Sequence, residues 1–169
     1  PDLPQPVEDF AQRTPEQRSE LVEQMGGSQE TERAVARSLE WLRRVQEPDG
    51  RWSSKNHGGE VNADTAMTGL ALLCFLSAGH THTADGPYRD SVARAIEHLT
   101  SRQRADGNLA PDETMYGQTI AGVALCEAYA MTRDARLARP VKLAVEFVDA
   151  SARSNDGSAG ATSVLGWQV

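Results

Sequence analysis

The sequence predicts an all-α protein built as part of an α/α toroid, a partial α/α barrel of helical hairpins, and three observations predict it. Segments with a single apolar stripe alternate with segments that are apolar nearly all round, the pattern of two concentric layers of which only the outer touches water. The outer segment and its closing turn recur at an offset of 57 residues: Ala34-Val35-Ala36-Arg37 to Gln46, then Asp49-Gly50, returns as Ser91-Val92-Ala93-Arg94 to Gln103, then Asp106-Gly107. Gly69, Gly122 and Gly166 fall in register in the middle of the inner segments. Glycine there costs roughly 1 kcal/mol relative to alanine, so three in register predict close backbone approach.

Taken in order, Thr14-Pro15-Glu16-Gln17 is a helix start, with Thr14 capping, Pro15 at the first helical position and Gln17 reaching back. Gly26-Gly27 ends that helix, so residues 1–27 read as a polar linker with a short N-terminal helix and 28–169 as the repeat domain. Ser28 caps the first outer helix, whose stripe is Val35, Leu39, Leu42 and Val45, with Arg43 and Arg44 at its favourable C-terminal end. After the Asp49-Gly50 turn, Thr65 to Ala78 is the first inner helix, expected to be packed from both directions. Gly79 to Gly86 reads as a polar, solvated loop, and Pro87 opens an outer helix to about Gln103 with the stripe Val92, Ala95, Ile96 and Leu99.

The second inner helix is expected from about Thr114 to Met131. Asp134 caps the next stretch, Pro140 reopens it as an amphipathic helix through Val141, Ala144, Val145 and Val148, and Asp156-Gly157 makes a third turn. Ser163 to Val169 read as the first turns of another inner helix. With a Pro-rich start that lacks an initiator Met, this predicts an excised fragment, incomplete at its C-terminal side.

Composition excludes some functions. Seventeen Lys and Arg against twenty-four Asp and Glu give a net charge of −7, which repels nucleic acid and anionic lipid. The longest apolar run falls short of the roughly 20 residues of a membrane helix. Cys74 and Cys126 form neither a disulfide framework nor a metal knuckle and read as buried small hydrophobes, so the compartment stays open.

The stretch Trp41-Leu42-Arg43-Arg44-Val45-Gln46-Glu47-Pro48-Asp49-Gly50-Arg51-Trp52 resembles the QW motif of the prenyltransferase and squalene-oxidase repeat family, the unit of squalene-hopene cyclases and protein prenyltransferase β subunits. The resemblance implies that the Gln46 amide bonds the end of a neighbouring helix and stacks on a tryptophan, with Gly50 in the turn and both Trp41 and Trp52 in the staple. The second copy keeps Gln103 and Gly107 but has Leu109 in place of Trp, which implies a weaker staple. Thr68-Gly69-Leu70-Ala71-Leu72-Leu73 and Ala124-Leu125-Cys126-Glu127-Ala128-Tyr129 are similar to bacterial members of this superfamily.

Cyclases of the family carry a DxDDTA motif whose middle Asp is the acid. The matching stretch Val61-Asn62-Ala63-Asp64-Thr65-Ala66 has Ala63 in the acid position, leaving Asp64 as the sole catalytic candidate, with an N-cap as its structural reading. Tyr116 is the candidate ligand-binding residue at the mouth of the barrel. The His80-Thr81-His82 spelling reads as solvated loop rather than a metal site, His57 and His98 have no evident partner, and neither metal nor cofactor is expected. The reading that follows is a repeat domain that binds an apolar, isoprenoid-like ligand or a protein partner without catalysis of its own, with self-association through exposed inner helices. Its alternatives are a class II terpenoid cyclase or prenyltransferase completed by residues elsewhere, and a structural scaffold.

Overall fold

A computed structural model describes residues 22 and 24–154. Among these the chain forms five α-helices and no strand: α1 (Gln29–Val45), α2 (Asp64–Ser77), α3 (Arg89–Ser101), α4 (Met115–Thr132) and α5 (Ala135–Ser154), with a 3₁₀ turn at Lys55–His57. The expected Thr14 helix, the Asp156-Gly157 turn and the Ser163–Val169 segment with Gly166 lie outside the described residues.

The two layers are present. The inner helices α2 and α4 pack on one another most extensively, while α1 and α3 lie against α2, and α5 against α4. The core between the layers is apolar: Leu72, Phe75 and Leu76 of α2 meet Val92 and Leu99 of α3, with Leu125 and Val141 continuing the same cluster. Helix α1 contributes fully only Leu39, with Val35, Leu42 and Val45 partly buried against the core. Its start is a capping box, in which Thr31 N–H donates to Ser28 Oγ (3.3 Å) and Ser28 N–H donates to Thr31 Oγ1 (2.9 Å).

The close approach expected of the inner glycines holds at one of them. A Cβ on Gly69 would stand 2.9 Å from Ile120 Cγ2 and 3.1 Å from Ala121 Cα, so α2 and α4 touch backbone to backbone there. Gly122 meets nothing closer than Ala144 Cβ at 4.0 Å among the described residues.

Three expectations need correction. Helix α3 begins at Arg89 rather than Pro87, because the buried Tyr88 ring packs against Phe75 (5.2 Å between centroids) and His80 (4.7 Å), which holds the preceding residues in a turn. Pro140 does not reopen a helix. It sits within an unbroken α5, losing only the ladder bond to the Arg136 carbonyl while buried Leu137, Val141 and Ala144 anchor the helix on either side. The loop after α2 is not solvated throughout, since Thr81 and His82 are buried. The inner helices keep an open face, as expected: Met67, Leu70 and Cys74 of α2 and Tyr116 and Val123 of α4 are exposed.

Candidate functional site

The residues of the Gln-x₃-Gly-x-Trp stretch come together at the junction between successive hairpins. Gln46 Nε2 donates to the carbonyls of Gly50 and of Ser91, in the first turn of α3, both at 2.9 Å, and Arg94 donates to Gln46 Oε1 at 2.7 Å. Gly50 adopts φ +89, and a Cβ there would collide with the Arg94 carbonyl, so only glycine lets the turn reach α3. Trp52 is buried, its Nε1 donating to the Leu42 carbonyl (2.9 Å) and its N–H to Thr68 Oγ1 (3.1 Å). Trp41 is no part of this staple. It is 48% exposed and meets the His57 ring edge-on at 5.6 Å, because its position on α1 faces away from the core.

The second copy repeats the geometry. Gln103 Nε2 donates to the carbonyls of Gly107 (3.3 Å) and Pro140 (2.9 Å), and Gly107 at φ +97 abuts the Leu143 carbonyl. Leu109 fills the Trp52 place fully buried, with Gln118 Oε1 accepting from its N–H at 2.6 Å. What this copy lacks is the charged donor, since Leu143 occupies the position of Arg94.

Asp64 stands at the start of α2 but does not cap it. Its Oδ1 accepts from Ser54 N–H (2.8 Å) and Ser54 Oγ (3.0 Å), and Oδ2 lies 3.4 Å from Arg51 Nε, so the carboxylate ties the preceding loop to the helix. The capping role belongs to Glu113, whose Oε1 accepts from Thr65 N–H (2.6 Å) and Oε2 from Ala66 N–H (3.3 Å). A carboxylate at a helix N-terminus satisfies orphan donors and complements the helix dipole. The local Asp lost this place to a residue 49 positions away, which no sequence window could reveal.

Tyr116 is 57% exposed, Met67 and Leu70 each 38%, and Val123 36%. Leu70 and Val123 occupy the same register of the repeat, one residue past Gly69 and Gly122, so the exposed stripes of α2 and α4 are equivalent faces of adjacent inner helices. Cys74 extends the stripe by one turn, against its reading as a buried hydrophobe; both cysteines are free thiols.

His82, read as solvated loop, and His98, left without a partner, each have one. His82 Nε2 lies 2.9 Å from Asp134 Oδ2, and Asp134 also takes Arg136 Nε and Nη2 at 3.0 and 2.7 Å. Arg136 foremost, and His82 after it, hold the Asp134 carboxyl well below the usual carboxylate range. His98, buried on α3, places Nδ1 3.1 Å from the Asp49 carbonyl oxygen, and burial pushes its pKa down from 6.5. Among the described residues no cluster of three or more His, Cys, Asp or Glu side chains is placed to hold a metal ion. No described helix is long and apolar enough to cross a membrane.

A family model described as the squalene-hopene cyclase C-terminal domain matches residues 15–135, which takes in α1 to α4, the whole first staple and the Gln103 to Leu109 stretch of the second. No curated protein and no solved structure matches the chain.

Proposed function

The chain belongs to the squalene-hopene cyclase C-terminal domain family, and on that premise we propose that its inner helices bind an apolar, isoprenoid-like ligand along their exposed stripe, without catalysis by these residues. The observation that carries this is the stripe itself: Met67, Leu70, Cys74, Tyr116 and Val123 stay open on helices whose opposite faces are buried. Exposed apolar positions in equivalent registers of two packed helices make a continuous surface, and one phenol at its end supplies a polar handle. The absence of chemistry is supported by Ala63 at the acid position of the cyclase-like stretch and by the structural work of Asp64, whose oxygens are engaged by Ser54 and Arg51.

Magnitudes select the test. Fully burying a Leu, Val or Met side chain contributes about 1.5–3 kcal/mol, so covering one that is already two-thirds buried contributes about 0.5–1 kcal/mol. Truncating one is therefore a weak perturbation, and placing charges at two is a strong one. Titrating the protein with farnesol and with squalene, followed by native mass spectrometry, should show saturable binding. The Leu70→Glu/Val123→Lys double variant, altered only at exposed positions, should weaken it at least tenfold with an unchanged circular dichroism spectrum. Equal binding by both proteins, or none by either, overturns the reading. Turnover of squalene that is abolished by Asp64→Asn would replace binding with cyclisation.

A further inference from the structure

A polar cleft of about 390 Å³ shares no residue with the apolar stripe. It lies between the loop after the first Asp-Gly turn, the start of α2 and the last turns of α3, and is lined among others by Arg51, Lys55, Asn62, Asp64, His98 and Arg102. Glu113 closes one side. In a chain of net charge −7, three cationic side chains around one cleft are an unusual concentration.

The cleft's capacity for hydrogen bonding is unevenly spent. Both carboxylates are engaged: Asp64 by Ser54 and Arg51, Glu113 by the Thr65 and Ala66 N–H groups. The donors are mostly free. Among the described residues Lys55 has no ion-pair partner, the Asn62 amide makes no hydrogen bond, and Arg102 has only a loose contact with the exposed Asp112 at 3.6 Å. His98 supplies the opposite character. Because the Asp49 carbonyl can only accept, it fixes the proton on Nδ1 and leaves the Nε2 lone pair with no partner among the described residues.

We propose that this cleft binds a phosphate group carrying one acidic proton, as free hydrogen phosphate or as a monoester. The P–OH donates to His98 Nε2, while the remaining oxygens accept from Lys55, Arg102 and Asn62, so these three donors and the one acceptor are each used in their own sense. Such a match of one acceptor with several donors discriminates against chloride, which has no proton to give, and against sulfate, which is unprotonated near neutrality.

The test uses the full 169-residue chain, ¹⁵N-labelled, at low ionic strength, titrated to about 10 mM, a range that captures millimolar affinity, with inorganic phosphate, phenyl phosphate, sulfate and chloride. The expected result is saturable movement of the His98 imidazole and Asn62 amide signals with phosphate or its monoester and far less with sulfate or chloride. Preference between the first two tells whether the ligand is free or esterified. Lys55→Ala/Arg102→Gln, altered at exposed side chains, should weaken binding at least tenfold while the spectrum elsewhere is unchanged. No saturable shift, equal shifts with chloride, or wild-type affinity in the double variant would overturn the proposal.

Discussion

Single side chains at the hairpin junctions carry out the work that the repeat makes visible. Gln46→Ala removes two donated bonds and strands the Arg94 guanidinium that its oxygen accepts from, and should cost about 1–3 kcal/mol. Gln103→Ala, without a charged partner, should fall at the lower end of that range, and urea unfolding of the two variants checks the order. Glu113→Ala uncaps α2 at two N–H groups and should cost about 1–2 kcal/mol by the same measurement. Asp134 sets an acid limit. Its carboxyl is held low by Arg136 and His82 in the folded chain, whereas the unfolded chain takes up the proton near an ordinary value of about 3.9. The stabilisation is therefore complete above that pH and is lost as pH falls below it, and Asp134→Asn should flatten the acid limb of a melting-temperature profile. The staple residues were legible because helix-end chemistry is local and repeats. The Glu113 cap, the His82 and Asp134 pair and the acceptor of His98 were not, since each joins groups about fifty residues apart and a main-chain carbonyl leaves no mark in a sequence.

Between elements, the two inner glycines make a controlled comparison. Gly69→Ala drives a methyl to 2.9 Å from Ile120 and 3.1 Å from the Ala121 backbone, so α2 and α4 must part, at a cost of about 1–3 kcal/mol. Gly122→Ala meets only Ala144 Cβ, at an ordinary contact distance of 4.0 Å, and should gain about 0.5–1 kcal/mol from helix propensity. Denaturation midpoints moving in opposite directions confirm this, and a shared direction refutes it. The helices themselves were readable from periodicity because each alternates in apolar breadth. Pro140 misled because a local rule for helix starts yields to tertiary packing when Leu137, Val141 and Ala144 bury on both sides of it.

Across the whole molecule, the layering and the exposure of the inner helices followed from the sequence while most of the side chains that stay open did not, for an all-round apolar helix looks the same whichever of its faces is bare. That bare face should draw copies together. Sedimentation velocity should show the weight-average coefficient rising with concentration, and the Leu70→Glu/Val123→Lys protein should stay monomeric; a flat profile for both refutes the expectation. The junctions have a consequence of another kind. At each one, a fastener in the turn of one module bonds the glycine carbonyl of its own turn and seats on a main-chain oxygen of the next, and both observed seams use the same amide and the same glycine. Main-chain oxygens are present whatever side chains a module carries, as Ser91 and Pro140 show by serving alike. A tandem duplication would thus arrive with its own fastener and find a ready seat, so the array can grow or shrink by whole modules without any seam having to be reinvented.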